Sequence, residues 1–221
     1  MSTPSSPTRG RPARISQVRT VQTALDLLNE SGLDALTMRR LADALGVQAG
    51  ALYRYFATKQ DLLTAMAERM VGGVADAAGP AGDGDWSERA ARLARALRTA
   101  LLAHRDGARV FTGTHSTGPN TLGFADSLVG VLRAAGFGDG EAARALYSVT
   151  NFTVGHTLEE QAALGPGDGE PTDAGALHEA VAAGTYPHLA ATLPVLTSTD
   201  FAAHFEFGLR LLLDGLRAVQ R

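Results

Sequence analysis

Residues 37–63 of the chain read TMRRLADALGVQAGALYRYFATKQDLL, a pattern that predicts two short helices joined by a tight turn. Thr37 can cap the first helix with its hydroxyl, and apolar residues recur after it at helical spacing. Gly46 ends that helix, because glycine readily adopts the left-handed conformation of a helix terminus. Ala42 is small enough to let the two helices cross closely, and Leu52 fills the wedge between them. This is the pattern of a helix-turn-helix, and it predicts binding to DNA.

The run that contains this pattern resembles the DNA-binding domain of the tetracycline-repressor (TetR) family of transcriptional regulators. Residues 52–59, LYRYFATK, carry the resemblance, with a Leu-Tyr pair, a second aromatic residue and a lysine before an acidic and apolar stretch. The resemblance implies a homodimer that binds a double-stranded DNA operator. The residues assigned to DNA are Thr37, Arg39, Arg40, Gln48, Ala49, Gly50, Tyr53, Arg54, Tyr55 and Lys59.

We expect two kinds of DNA contact from these side chains. Arg39, at the start of the second helix, can reach a guanine edge, and a bidentate contact of this kind discriminates between bases by about 1–3 kcal/mol. Tyr53 and Lys59 are expected to hold phosphate, which fixes the register of the protein without reading sequence. For Tyr53 and Tyr55 the alternative role is packing between helices.

Charge is distributed unevenly along the 221 residues, whose formal net charge is −3. Residues 1–69 carry nine Arg or Lys against six Asp or Glu, whereas the remainder carries eleven against seventeen. A basic N-terminal part on an acidic remainder is expected when only one end of a protein meets phosphate.

Helical periodicity along most of the chain predicts an all-α fold with three parts. Residues 1–14 form a disordered basic tail, which is either solvated or an arm that enters the minor groove. Residues 15–63 form an N-terminal three-helix helix-turn-helix domain, and residues 64–221 form a larger helical ligand-binding and dimerisation domain. A helix from about Thr58 to Val74 should connect the two domains. The other predicted helices run over about 16–31, 86–104, 122–135, 141–163 and 199–219.

The composition excludes several classes of function. The chain has no cysteine, so it has no disulfide, thiol nucleophile or thiolate metal site. Its first residues lack the apolar segment of a secretory signal, and no stretch approaches the roughly 20 apolar residues that span a bilayer. We therefore expect a cytoplasmic protein with no membrane partner.

The larger domain resembles the tetracycline-responsive branch of the family, which implies a small-molecule inducer and a dimer built from four helices. The similar segments are LLAHRDGARVFTGT, ALYSVTNFTVGHTLEEQ and FEFGLRLLLDGL. The helices at about 141–163 and 199–219 carry long apolar faces, so we expect them to form the dimer interface. The residues that this resemblance assigns to the ligand are Leu93, Leu97, Phe111, Thr114, His115, Leu128, Asn151, Gly155 and Glu159.

The predicted site departs from the metal–tetracycline sensors of that branch. Phe111 occupies the position of the histidine that ligates magnesium there, and of the metal-site pattern only Thr114 and Glu159 remain. Magnesium prefers a near-octahedral shell of oxygen ligands, for which these two residues are insufficient. We therefore expect no metal and no cofactor. His156 and Glu160 lie one helical turn apart and could bind a metal, but a paired or interfacial role is expected.

Other departures change the character of the ligand site. Leu93 and Leu97 stand where the family pattern has a polar Asn and a Phe, and Asn151 replaces a His. His115 and Ser116 replace an Arg-Pro pair. These changes make the site more apolar, so we expect a small, largely apolar inducer, with a polycyclic aromatic compound as one candidate.

The expected function is a ligand-responsive repressor that its inducer releases from a palindromic operator. One alternative is a helical enzyme that uses His115, His156 and Glu159 as acid–base groups, although the chain has no nucleophile motif or phosphate loop. A second alternative is a magnesium–tetracycline sensor, against which Phe111 argues. Activation instead of repression stays open, because the sign of regulation depends on where the operator lies.

Overall fold

The computed structural model describes residues 16–80, 82, 84–165 and 174–220, and every regular element in these ranges is a helix. A 3-10 helix, Val74–Ala78, separates the first four α-helices from the rest. The α-helices are α1 (Gln17–Ala35), α2 (Met38–Leu45), α3 (Ala49–Leu52), α4 (Lys59–Met70), α5 (Trp86–Leu102), α6 (Gly107–Thr112), α7 (Pro119–Ala134), α8 (Asp139–Leu164), α9 (Ala174–Ala183), α10 (Pro187–Leu196) and α11 (Phe201–Val219). The all-α prediction is confirmed. The basic tail predicted at residues 1–14 lies outside the described residues. Across the described ranges, the helices are too short or too polar to cross a lipid bilayer.

Two apolar cores divide the described chain into a head, residues 16–70, and a body, residues 71–220. The head core packs α1 to α4 together, and the body core packs the 3-10 helix with α5, α7, α8 and α11. The domain boundary expected after residue 63 falls within α4, whose later apolar residues still belong to the head core. The largest fully buried side chains are Leu25, Leu28, Leu36, Leu41, Leu52, Leu62 and Met66 in the head, and Leu93, Leu97, Leu101, Leu128 and Phe205 in the body.

Local hydrogen bonds fix the ends of the head helices. The Thr37 hydroxyl accepts a hydrogen bond from the backbone N–H of Arg40 at 3.1 Å, as the sequence predicted for the start of α2. Gly46 ends α2 with a φ of 69°, the left-handed conformation expected there. Thr58 and Asp61 exchange side chain to backbone hydrogen bonds, forming a capping box that begins α4. The predicted Thr37 cap at the start of α2 and the predicted glycine at its end are therefore confirmed.

The second helix of the motif is shorter than the sequence indicated. α3 contains four residues, and residues 53–55 form a turn after it. Lys59 is the first residue of α4, as expected from a connector helix that begins near Thr58. The capping box at Thr58 starts this new helix. α4 in turn ends at Met70, four residues before the expected end of the connector.

The sequence pattern did not predict α9 and α10. The described residues of α9 are exposed on nearly every side, and Val181 alone among them is buried, so no apolar stripe marks this helix. α10 begins with Pro187 and contains Pro194, a residue that normally interrupts a helix. A helix without a buried face gives no periodic signal, which explains the omission.

α6 contacts both cores although it has only six residues. Val110 is buried in the head core, whereas Ala108 is buried in the body core. Phe111, the residue after Val110, packs against both the head core and the body core. Any displacement of α6 must therefore disturb the head and the body together, because packed cores do not deform freely.

Candidate DNA-binding face and effector region

The long side chains predicted to meet DNA are exposed around α2, α3 and the start of α4. Arg39, Gln48 and Lys59 are all exposed. Tyr53 is 51% exposed and Tyr55 is 43% exposed, so neither ring is enclosed between helices. Cations and half-exposed aromatic rings on a helix-turn-helix are suited to phosphate and base edges. We call these five residues the DNA face; Arg54 and Gly50 are exposed beside them.

Three other predicted residues have partners within the head. The Thr37 hydroxyl caps α2, and the Arg40 guanidinium lies 3.6 Å from the Glu30 carboxylate. Ala49 is partly buried and packs against the head core. These contacts hold α2 and α3 in place behind the DNA face.

Gly50 leaves open space at the start of α3. A Cβ atom built at this position meets no other atom within 4 Å, so packing inside the head does not require glycine. Because glycine has no side chain, it lets another backbone approach closely. Its place beside Gln48 suits the approach of DNA to this helix.

The predicted ligand residues of α5 and α7 form part of the body core. Leu93, Leu97 and Leu128 are fully buried there. Phe111 is half-buried beside them, since it packs against the body core as well as the head core. The structure thus brings these four apolar residues into one core, which is closed in this conformation.

The predicted ligand residues of α8 lie in different surroundings. Asn151, Gly155 and Glu159 are spaced four residues apart, and all three are exposed. They share this exposed side of α8 with Tyr147, whose side chain is 68% exposed. The structure does not place these three residues in the environment of the buried leucines.

Thr114 and His115 follow α6 in the loop that leads to α7. The Thr114 hydroxyl donates to the Phe111 carbonyl at 2.9 Å, which closes the end of α6, and His115 is exposed. The side-chain amide of Gln60 donates to the Gly113 carbonyl at 2.7 Å, so α4 of the head contacts the same loop. The loop that carries these two predicted ligand residues therefore contacts the connector.

The body also contains a buried ion pair that sequence reasoning missed. Arg98 of α5 donates two hydrogen bonds to the Glu160 carboxylate of α8, at 2.9 and 2.7 Å. The Arg98 guanidinium also lies 5.2 Å from the centre of the Phe205 ring of α11. Three helices meet at this arginine. The available signal was an arginine within the buried leucine repeat of α5, which calls for a partner of opposite charge.

His156 adjoins this ion pair without forming one of its own. Burial lowers the pKa of the His156 imidazole; the Glu160 carboxylate opposes this effect, whereas Arg98 and His204 add to it. The ring is therefore mostly neutral at pH 7, and its Nδ1 lies 3.8 Å from the carboxylate, beyond hydrogen-bond distance. Arg98 already occupies both Glu160 oxygens. Among the described residues, no three His, Asp or Glu side chains converge as metal ligands.

A cleft of about 490 Å³ lies at the junction of the head and the body, and none of the nine predicted ligand residues lines it. Three of its charged groups pair with one another. Arg109 of α6 contacts Asp34 and Asp106, each at 3.1 Å. Asp106 also accepts a hydrogen bond from the backbone N–H of Leu33 at 2.8 Å. These contacts attach the end of α1 to α6.

Comparison with known proteins agrees with this architecture. Residues 21–66 match the family model of bacterial regulatory proteins, tetR family, and residues 78–220 match the Tetracyclin repressor-like, C-terminal domain. The tetracycline repressor protein class A from transposon 1721 of Escherichia coli is 42% identical over 196 residues, which cover 89% of this chain and 88% of that protein.

Two crystal structures from Streptomyces coelicolor extend the similarity to the whole fold. A possible TetR family transcriptional regulator of strain A3(2) is 85% identical with a TM-score of 0.87, covering 92% of this chain and 100% of that one. The TetR family protein ActR in complex with actinorhodin is 31% identical with a TM-score of 0.84, covering 94% and 99%.

These relatives are regulators of transcription and not enzymes, which removes the enzyme alternative. A family model covers each part of the chain, the helix-turn-helix head and the helical body. The chain belongs to the tetR family of bacterial regulatory proteins.

Proposed function

We propose that this protein is a ligand-responsive transcriptional repressor, which binds a palindromic operator as a homodimer and is released by a small, largely apolar inducer. The observation that carries the proposal is the DNA face around the helix-turn-helix, with side-chain caps at the starts of α2 and α4. Its exposed residues are Arg39, Gln48, Tyr53, Tyr55 and Lys59. Arg39 and Gln48 have the donors and acceptors that read guanine and adenine edges. Tyr53 and Lys59 suit phosphate.

Exposed apolar side chains on α8 and α11 support the homodimer. Tyr147 of α8 is exposed, and on α11 Phe207 is 56% and Leu211 57% exposed. The two helices lie side by side, since the rings of Phe152 and Phe205 stack with their centres 5.5 Å apart. Two-fold pairing of this surface would bury the same residues on both copies and form a four-helix interface. The two recognition helices would then meet half-sites about 34–36 Å apart.

The apolar character of the body supports the class of inducer. Leu93, Leu97 and Leu128 are apolar and fully buried, and Phe111 packs against the same core. The polar groups of Thr114 and His115 are close in sequence to Phe111. An apolar molecule that reaches the leucines must open the closed core, so it stabilises a conformation other than this one. The relative ActR binds actinorhodin, and another relative is named for tetracycline, which supports a small organic inducer here as well.

We place Asn151, Gly155 and Glu159 in this proposal at the edge of the dimer interface. They are exposed in a single copy, so a neighbouring molecule could enclose them. A partner's body would supply that enclosure along the exposed side of α8. Glu159 and Asn151 would then offer polar groups that orient the inducer or contact the partner.

α6 and its following loop offer the route from inducer to DNA. An inducer releases DNA only if it favours a conformation in which the two heads are spaced differently. Phe111 packs against both cores, and Gln60 of the connector holds the Gly113 carbonyl, so movement of this segment moves α4. A change in the tilt of α4 changes the separation of the DNA faces.

Footprinting on the DNA upstream of the protein's own gene tests the proposal. We expect protection of a palindromic site by a dimer, and release of that site by one or more compounds in a screen of aromatic molecules. Asp43→Asn, on the exposed surface of α2 outside the DNA face, is the control variant and should protect the same site. A protein that remains monomeric at micromolar concentration and protects no DNA would overturn the proposal.

A further inference from the structure

Glu68 of the connector α4 forms a second polar attachment between the head and the body. Its carboxylate accepts hydrogen bonds from the Ser116 hydroxyl at 2.9 Å, from the Thr121 hydroxyl at 2.7 Å and from the Thr121 N–H at 3.1 Å. The carboxylate also accepts a hydrogen bond from the backbone N–H of Asn120. The Glu68 backbone carbonyl accepts a hydrogen bond from the Asn120 side-chain amide at 3.0 Å. Four hydrogen bonds thus join Glu68 to the start of α7, and a fifth joins it to the preceding loop. We call this set of contacts the Glu68 clasp.

The start of α7 lacks a capping side chain of its own. Gly118 occupies the cap position and Pro119 the first helical position. Neither residue has a side-chain atom that can accept hydrogen bonds from the free N–H groups of the first turn. Glu68 takes over this role from another helix, and its negative charge also suits the positive end of the α7 dipole. A Cβ atom at Gly118 would collide with the Glu68 carboxyl group, so the contact in this arrangement needs glycine there.

Glu68 is ionised at neutral pH. Burial alone would raise the pKa of its carboxyl group, but the hydrogen bonds from Thr121, Asn120 and Ser116 together outweigh burial and hold the pKa below its usual value. Hydrogen bonds to a charged acceptor are stronger than neutral ones, so the clasp is a firm attachment.

Ser116 links the clasp to the loop that carries the predicted ligand residues. It follows Thr114 and His115 directly, and it stands where the resembled family pattern has a proline. A proline has no hydroxyl to donate, so the bond from Ser116 to Glu68 depends on this departure. The clasp therefore joins the connector to the loop that carries Thr114, His115 and Ser116.

We propose that Glu68 is a positioning residue that sets the angle of α4 against the body, and thereby the separation of the two DNA faces in the dimer. The clasp holds the ligand-free arrangement, and displacement of the loop at residues 113–118 by an inducer releases it. The proposal rests on the dimeric, ligand-responsive function proposed above, and it adds the residue through which the loop acts on the connector.

Spin labels can measure the separation of the heads directly, because the chain has no native cysteine. The exposed Asp43 of α2, replaced by cysteine and labelled, gives one label on each head. Double electron–electron resonance on the full-length dimer then reports the distance between them. The parent is compared with Glu68→Gln, which weakens the acceptor, and with Ser116→Ala, which removes one donor. Glu88→Gln, on the exposed pair with Arg95, is the matched control.

We expect a single narrow distance distribution in the parent and in Glu88→Gln. The distribution should broaden in Ser116→Ala and broaden further in Glu68→Gln, with the helical content of all variants unchanged by circular dichroism. Operator affinity of Glu68→Gln should fall roughly tenfold, and its preference for the natural half-site spacing over a spacing changed by one base pair should weaken.

The outcomes separate the two proposals. A distance distribution that is identical in the parent, Ser116→Ala and Glu68→Gln overturns the positioning role of Glu68 and leaves the dimeric repressor standing. If the parent itself gives no dipolar signal between labels, no dimer exists, and both proposals fail. A uniform loss of affinity at every half-site spacing with an unchanged distance distribution would show a structural role only.

Discussion

The DNA face of the head and the predicted ligand residues of the body differ in how the structure arranges them. Arg39, Gln48 and Lys59 are all exposed and need no rearrangement to meet a partner. In the body, Leu97 is fully buried while Glu159 is exposed on another helix. DNA is a large external surface, so the groups predicted to meet it already lie outside. A small effector must be enclosed, so under the proposed function its site depends on packing, on a conformational change and on a second copy of the chain.

The largest expected effect is the loss of the largely buried ion pair between α5 and α8. Glu160→Ala leaves the Arg98 guanidinium buried without its partner, which costs about 3–5 kcal/mol of the free energy of unfolding. Denaturant unfolding measures this loss. Glu206→Ala, which breaks the exposed pair with Arg95, is the control and should cost no more than about 1 kcal/mol. Equal losses in the two variants would contradict the distinction between the body core and its surface.

A smaller effect is expected on the DNA face. Arg39→Ala should relax discrimination at one base pair of the half-site, by about 1–3 kcal/mol, because one bidentate contact to a base edge is lost. Binding to a library of single-base operator variants measures this change. The free energy of unfolding should stay within about 0.5 kcal/mol of the parent, since Arg39 is exposed. An operator profile without change at any base would assign Arg39 to another role.

Lys59→Ala should act on affinity and not on sequence preference. Its ammonium group is expected at phosphate, so its removal should weaken binding to all operator variants alike and reduce the salt slope of log K by roughly one. Titrations at several salt concentrations measure this slope. Arg69→Ala, on an exposed arginine at the far end of α4, is the control and should keep the parent slope. A selective loss at one base would contradict the phosphate role.

The Glu68 clasp should give the attachment of α4 a dependence on pH. Hydrogen bonds lower the carboxyl pKa in the folded protein, so its contribution to the free energy of unfolding is present at neutral pH. That contribution should disappear as the pH falls through the lowered pKa of the folded state. The measurement is the difference in unfolding free energy between the parent and Glu68→Gln across the acidic range. A difference that grows toward low pH would have the wrong sign.

The smallest expected effect is that of magnesium. Phe111 has no atom that can ligate a metal, so chelation of magnesium should leave both operator binding and its release by an apolar compound unchanged. Gel-shift titrations with and without chelator measure this. A requirement for magnesium in the release step would indicate a metal–tetracycline sensor and would contradict the argument from Phe111.

Local chemistry made the head predictable from its sequence. Thr37 and Gly46 mark the ends of α2 because a cap hydroxyl and a left-handed glycine act on their immediate neighbours. No glycine or proline marks the turn at residues 53–55, so no comparable local signal predicted the end of α3. The helices of the body core followed from apolar repeats, whereas α9 has no such repeat to detect.

Contacts between distant residues were not predictable from the sequence. Arg98 and Glu160 are 62 residues apart, and the contacts of Glu68 with Asn120 and Thr121 span 52 and 53 residues. Each pair becomes visible only when the helices are packed. The exposure of Asn151 was likewise not predictable. The resemblance to the family assigns the residue a position along a helix, but it does not show which side of that helix faces the core.

The position of Val110 limits how this protein can be divided and recombined. It completes the head core from a helix that begins 37 residues after the last residue of α4. A fragment that stops after α4 would lack part of its own interior and would fold less stably than the head does in the whole chain. A chimaera that carries this head onto another regulator's body should therefore include α6 from the same parent. Modular exchange of operator specificity depends on that short helix as much as on the helix-turn-helix.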